Sequence, residues 1–273
     1  MLAIKNNIMS ENAQRMVASN YDALGKSVQR LSSGLRINSA SDDAAGMAVS
    51  ELMKADVSTL QQGSRNAQDA ISMLQTGDAA LQVVDNLLVR LKELAEQAAT
   101  GSYTPTQRSM MNAEFTQMRD EITRIAASTN FNGTTLLNSA SGSLTIHIGT
   151  GNTSNDKITI SMVDTSATGL GVGALNISTQ AGAASALTGL STAIATKDSA
   201  RASFGAKINR LQSTIQILNV QAENLMAAES RIADVDVASE MSSMTRNQVM
   251  AQAGVAMLAQ ANSMPQLALK LLG

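Results

Sequence analysis

The chain has 273 residues but no cysteine and no tryptophan, and only 2% of it is aromatic. Without cysteine, disulfides, thiolate nucleophiles and cysteine-ligated metals are all excluded. Aromatic side chains normally supply much of the buried area of a compact core. Their scarcity indicates a core in which many small side chains pack closely, as they do between long helices that lie side by side.

Charge is also sparse and shows no basic cluster. Charged residues make up 15% of the chain, and the net charge is −2, so the electrostatic footprint of a nucleic-acid-binding protein is missing. No stretch reaches the ~18 consecutive apolar residues of a membrane span, and no apolar signal-peptide segment follows the N-terminus. We therefore expect no nucleic-acid partner and no membrane span. The protein is either cytosolic or leaves the cell by a route that needs no cleaved signal.

The motifs of catalysis are equally scarce. His147 is the only histidine, and a metal site or an acid–base pair requires partners for it. The glycines between Gly169 and Gly173 lack the strand–helix frame of a phosphate loop. The adjacent carboxylates of Asp42 and Asp43 precede a helical pattern and are interpreted as helix caps. We expect no catalytic residue, no metal and no cofactor, and hence a protein that is not an enzyme.

Apolar side chains recur every seven residues in two long stretches. The first stretch covers about residues 43–99 and contains Met53, Leu60, Ala67, Leu74, Leu81, Leu88 and Ala95. The second contains Phe204, Leu211, Leu218, Leu225 and Ile232. Heptads of this length are typical of coiled coils. A helix over the first stretch would measure about 85 Å, which is too long for a compact globule of this chain length. The pattern therefore predicts a rod.

Shorter patterns complete the predicted architecture. Thr104 and Gln107 form a capping box with Pro105 at the first helical position, which predicts a third helix. Strict alternation of apolar and polar residues on both sides of a Gly/Asn-rich turn predicts a β-hairpin at about residues 144–162. Residues 164–190 are rich in Gly, Ala, Ser and Thr and are interpreted as an outer loop.

The predicted fold is mainly α: a long rod of antiparallel coiled-coil helices formed by the N- and C-terminal regions, with a small β-hairpin tip. Residues 1–42 and 236–273 would form an inner domain of terminal helices. Residues 43–163 and 191–235 would form the helical rod domain with the hairpin, and residues 164–190 the outer loop. Apolar stripes on the terminal helices exceed what one helix pair can bury, which favours self-assembly in open, head-to-tail contacts. The stripe residues are Leu24, Val28, Leu31, Leu35, Val255, Leu258, Leu267 and Leu271.

Three ordered motifs then carry a family resemblance. The first is Leu31-Ser-Ser-Gly-Leu-Arg-Ile-Asn-Ser-Ala-Ser-Asp-Asp-Ala-Ala-Gly46, and the second is Asn130-Phe-Asn-Gly133. The third is Ser230-Arg-Ile-Ala-Asp-Val-Asp236, followed by Leu258-Ala-Gln-Ala-Asn262. Together they resemble bacterial flagellins over essentially the whole chain apart from residues 164–190. The chain is similar to a short flagellin with little or no variable outer domain.

The resemblance implies a structural subunit that polymerises into the flagellar filament for motility. It also implies secretion by the flagellar type III export apparatus to an extracellular filament. A hook–filament junction adaptor, which shares flagellin-like ends, is the alternative. The expected partners are copies of the same chain, a cytoplasmic flagellar export chaperone, filament cap and hook–filament junction proteins, and the innate immune receptor Toll-like receptor 5.

A recognition site for that receptor is implied by the segment from residue 89 to residue 95, which looks like the one through which many flagellins are detected. The residues carried over are Arg90, Glu93 and Leu94, with Glu114 on the facing helix. Arg90 and Glu93 would supply charge-assisted hydrogen bonds and Leu94 an apolar anchor. The resemblance thus predicts a receptor-facing patch on the free subunit.

Overall fold

The computed structural model describes residues 6–138 and 142–272, and for residues 265–272 it describes the backbone alone. The helices are α1 (Ile8–Ser33), α2 (Ala44–Ala99), α3 (Pro105–Ser128), α4 (Gln180–Ala233) and α5 (Val237–Leu272). The strands are β1 (Asn130–Phe131), β2 (Thr134–Thr135), β3 (Ser143–His147) and β4 (Lys157–Ser161). The prediction of a mainly α fold with a small β-hairpin is confirmed.

The chain divides into two units, and both ends of the chain belong to the same one. The first unit contains the residues up to Asp56 and those from Glu223 onward, and the second contains Val57–Ala222. The boundaries fall inside α2 and α4, whereas the sequence places them between helices, at residues 42 and 236. Heptad patterns run through these boundaries without a break, so they carry no signal of the division.

Within the first unit, α1 and α5 pack against each other in opposite directions. Near the start of α1, the Asn7 side-chain amide donates to the Ala261 carbonyl over 2.9 Å. Near its end, Arg30 lies 3.7 Å from Glu240. Gly34 then adopts φ 74°, in the left-handed region that favours glycine, and terminates α1.

In the second unit, α2, α3 and α4 share an apolar core. Leu88 and Leu91 of α2, Phe115 of α3, and Leu190 and Ala193 of α4 are all fully buried there. In this unit the predicted heptad positions of α2, from Leu60 to Ala95, are buried as a set. The seven-residue spacing therefore marks the side chains that pack between the helices.

The β-hairpin lies on the second unit and packs against α2. Strands β3 and β4 are antiparallel, with Ile146 opposite Ile158. The Asn66 side chain of α2 donates to the His147 carbonyl over 3.0 Å. At Gly63 the Ile148 carbonyl approaches α2 so closely that a Cβ would overlap its oxygen. An asparagine and a glycine on α2 thus position the hairpin.

Residues 164–190 differ from the predicted outer loop. Helix α4 begins at Gln180, and the preceding segment contributes Leu170, Val172 and Ile177 to the buried core. Its backbone is held by α3, because Arg119 donates to the Gly173 carbonyl over 2.8 Å. The composition suggested a loop, but Leu170, Val172 and Ile177 are buried in the core, as are the polar side chains of Thr165 and Ser166.

Candidate assembly interface

The contact between α1 and α5 is made mainly by small and polar side chains. Ser27 is the buried residue of α1, and Ala251 of α5 is 2% exposed. Ser10 donates to the Asn262 side chain over 2.7 Å. At Gly254 an added Cβ would lie 2.7 Å from a methyl carbon of Val17. The two helices therefore approach closely but bury little apolar area between them.

Most of the larger apolar side chains of both helices are exposed instead. They are Ile8, Met9, Met16, Tyr21 and Val28 of α1, and Val237, Met241, Val249, Met250, Val255, Met257 and Met264 of α5. We call this set the terminal apolar surface. Of the twenty exposed large apolar residues in the described part of the chain, fifteen belong to the first unit, although it is the smaller one. Apolar surface concentrated in this way marks an interaction site.

The structure separates the predicted stripe residues into two groups. Leu24, Leu31, Leu35 and Leu258 are half-buried, whereas Val28 and Val255 are 50% and 46% exposed. Leu267 and Leu271 lie outside the residues whose side chains are described. Only Val28 and Val255 therefore belong to the terminal apolar surface as described.

Methionines contribute much of this surface. Met9 and Met16 are seven residues apart, as are Met250, Met257 and Met264. That spacing places each set on one side of its helix. Methionine in a helical stripe is more often core filler than exposed surface, but in these terminal segments the sequence favours a role in irregular subunit contacts.

The residues predicted as helix caps do not all act alike. Asp43 accepts a hydrogen bond from the Gly46 amide over 2.9 Å and caps α2. Thr104 accepts from the Gln107 amide and forms the capping box of α3. Asp42 lies one residue too early to cap α2. It accepts from the amides of Asn38 and Ser39 over 3.3 and 3.1 Å and so closes the preceding turn. The hydrogen bond from Asn38, with those from Ser39, lowers the pKa of the Asp42 carboxyl.

The predicted receptor patch lies on the second unit, where α2 and α3 run side by side. Arg90 donates to Glu93 over 3.0 Å and to Glu114 over 3.1 Å, so its guanidinium links the two helices. These hydrogen bonds, that to Glu93 first, raise the pKa of Arg90. Leu94 does not join them. It is 2% exposed and packs in the core, so its assignment as a surface anchor is wrong, and the exposed patch consists of the three charged residues.

The described residues offer neither a candidate metal site nor a candidate membrane span. They contain no group of three or more His, Cys, Asp and Glu side chains that could hold a metal ion. None of the helices in the described part of the chain is long and apolar enough to cross a membrane. His147 lies exposed on β3, opposite Lys157. The feature that stands out is the terminal apolar surface, and together with the long helices it defines a self-associating structural protein.

Comparison with known proteins identifies the family. The bacterial flagellin N-terminal helical region matches residues 4–141, and the bacterial flagellin C-terminal helical region matches residues 187–272. A flagellin of Halalkalibacterium halodurans is 40% identical over 99% of this chain and 100% of its own length. The flagellar filament 33 kDa core protein of Treponema phagedenis is also 40% identical, over 99% of this chain and 100% of its own length.

A solved structure agrees with these relatives. The crystal structure of Bacillus cereus flagellin is 38% identical, with a TM-score of 0.51, and the match covers 60% of this chain and 94% of that one. The chain belongs to the bacterial flagellin family. It is a structural subunit of the flagellar filament and not an enzyme. The relatives named above are flagellins and a filament core protein, which favours the filament subunit over the junction adaptor.

Proposed function

We propose that the terminal apolar surface is the surface through which copies of this chain join into the flagellar filament. The observation that carries this proposal is the burial pattern of α1 and α5, in which small residues such as Ser27 and Ala251 are buried while twelve large apolar residues are exposed. Such a helix pair needs further surfaces to cover it. Other copies of the chain supply them, in open contacts that repeat along a filament instead of closing into a ring.

The size of the apolar contribution is sufficient for polymerisation. Each valine- or methionine-sized side chain that becomes fully buried contributes roughly 1.5–3 kcal/mol. Association costs about 4–15 kcal/mol in lost translational and rotational freedom. Twelve such side chains form the terminal apolar surface and are on average about half exposed. Covering all of them would contribute roughly 9–18 kcal/mol, which is enough to offset this cost.

The test is seeded polymerisation of the purified chain, measured by light scattering and electron microscopy. We expect Val255→Asp to raise the concentration needed for polymerisation about tenfold or more, because a carboxylate would be buried at the subunit contact. Val255→Leu is the matched control, since it keeps an apolar side chain at the same position of α5. Circular dichroism checks that both variants remain helical. Unchanged polymerisation of Val255→Asp would contradict the proposal.

The same surface supports a proposal for the steps before assembly. While the chain is in the cytoplasm, its exposed apolar surface must be covered, or copies of the chain would polymerise there. A cytoplasmic export chaperone would cover α5 there, and the flagellar type III apparatus would then secrete the chain to the extracellular filament. At the two filament ends, the cap and hook–filament junction proteins would contact the terminal apolar surface in place of another copy.

Recognition by Toll-like receptor 5 is a separate proposal and concerns the exposed charged patch. Arg90, Glu93 and Glu114 are close enough to present paired charges to a partner. We expect Arg90→Ala and Glu114→Ala to weaken the response of receptor-bearing reporter cells to the free subunit. The control is Arg124→Ala, which removes an arginine from a comparable exposed ion pair with Glu121. A response unchanged by the two patch variants would rule this site out.

A further inference from the structure

Methionine is the readily oxidised residue of this chain, because cysteine and tryptophan are both absent. Its sixteen methionines are not equally accessible. Met73, in the second unit, is 4% exposed. Of the eight methionines exposed in the described part of the chain, seven lie in the first unit, and Met110 is the exception. An oxidant therefore meets the first unit more readily than the second.

Five of these methionines form one group. Met9 and Met16 of α1 are 65% and 69% exposed. On α5, Met250, Met257 and Met264 are 46%, 65% and 37% exposed. Each set repeats every seven residues and so lies along one side of its helix. We call these five residues the methionine stripe.

The two sets of the methionine stripe lie in the same part of the α1–α5 pair. Val17, next to Met16, meets Gly254 of α5. Asn7, two residues before Met9, bonds to Ala261. The thioethers are therefore spread over a common portion of the terminal apolar surface.

We propose that the methionine stripe is an oxidation site that controls subunit addition, with a peroxide as the oxidant. In each step a thioether sulfur attacks one oxygen of hydrogen peroxide, the O–O bond breaks, and a sulfoxide and one water are formed. The sulfur loses two electrons and the peroxide gains them, so no further reactant is needed. This inference rests on the proposed role of the terminal apolar surface in assembly.

The modification acts because a sulfoxide is polar where a thioether is apolar. Its oxygen accepts hydrogen bonds, and an apolar subunit contact offers no donor to it, so burial becomes unfavourable. In the free subunit the stripe is exposed and open to oxidation. In the filament, neighbouring copies cover it, so assembled subunits are protected. Enzymatic reduction of the sulfoxides restores the apolar surface.

The experiment treats the purified chain with hydrogen peroxide, removes the oxidant with catalase and locates the added oxygens by mass spectrometry. Seeded polymerisation is then measured. We expect the concentration needed for polymerisation to rise about tenfold or more once the stripe is oxidised. A variant with leucine at all five stripe positions should polymerise before and after peroxide, because leucine has nearly the same volume and cannot be oxidised. Met110→Leu is the control, and it should stay as sensitive as the unaltered chain.

Two results would overturn the proposal. One is unchanged polymerisation of a chain shown to be oxidised at the stripe, and the other is equal peroxide sensitivity of the five-leucine variant. If the leucines themselves impair polymerisation, a methionine sulfoxide reductase supplies the second measurement. Recovery of the oxidised chain supports the proposal and lack of recovery contradicts it. Failure of the untreated chain to polymerise would contradict the assembly function itself, which separates the two failures.

Discussion

Lys197 shows how single charges contribute to the α2–α4 contact of the second unit. Its ammonium is 2% exposed and lies 2.5 Å from Asp85 of α2 and 2.6 Å from Asp198. One turn further along α4, Arg201 pairs with Asp78 of α2 over 2.7 Å. Burial lowers the pKa of Lys197, but the hydrogen bonds that its ammonium donates to Asp198 and Asp85 outweigh this effect and raise the pKa overall. The two carboxylates thus stabilise the buried charge of Lys197.

We predict that Asp85→Asn destabilises the chain by on the order of 3 kcal/mol, because it leaves a buried ammonium with one carboxylate fewer. Lys197→Met should cost much less, since it removes the buried charge and keeps a similar volume. Urea denaturation followed by circular dichroism measures both. Glu121→Gln, in an exposed pair with Arg124, is the control and should change stability far less than Asp85→Asn does. An effect of Asp85→Asn as small as that of the control would contradict the assignment.

The pH dependence of this pair has a definite sign. The pKa of Lys197 is raised in the folded chain, so its proton is bound more tightly there than in the unfolded chain. The stabilisation is complete below the ordinary lysine pKa and is lost as the pH rises through the raised folded-state value. The stability of the unaltered chain and that of Lys197→Met should therefore converge at strongly alkaline pH.

At the scale of elements, the longest helices were the most predictable. The heptads predict a helix over about residues 43–99, and α2 spans Ala44–Ala99. The first three turns of α4 were missed because Gly182, Gly189 and their small neighbours favour a loop by composition. Tertiary contacts stabilise this part of α4, and the composition does not show them. Leu175 packs against Gly189 so closely that a Cβ there would lie 3.1 Å from it, and only the folded chain brings the two together.

Helical periodicity could not predict which side chains of α1 and α5 are buried and which are exposed. Helical periodicity finds an apolar stripe and assigns it to the core. Here Ser27 is buried and its neighbour Val28 is exposed. Under the proposed assembly, the partners of the exposed apolar residues are other copies of the chain. For Leu94 the same rule was right and the resemblance misleading, since a leucine three residues after buried Leu91 lies on the core side of α2. Helical periodicity thus predicted burial correctly where the side chain packs against other helices of the same chain.

At the scale of the whole chain, the two units should differ in local stability in the free subunit. The second unit has an extensive apolar core, whereas α1 and α5 bury mainly small and polar side chains against each other. Helices without such packing are marginal in water, since tertiary contacts supply most of their stability. We therefore predict that α1 and α5 open readily in the free subunit and become fully protected on assembly.

Limited trypsin digestion tests this, because matched cleavage sites occur in both units. Lys26 of α1 and Arg246 of α5 are exposed, and so are Arg65 and Lys92 of α2. Because all four sites are exposed, their rates of cleavage should differ only through local unfolding of the helix around each site. In the free subunit we expect cuts after Lys26 and Arg246 well before those after Arg65 and Lys92. In the filament the first two sites should become resistant, and amide hydrogen exchange in α1 and α5 should slow to match. Equal protection of these helices before and after assembly would show that they are already stable alone, and the coupling of folding to polymerisation would then be wrong.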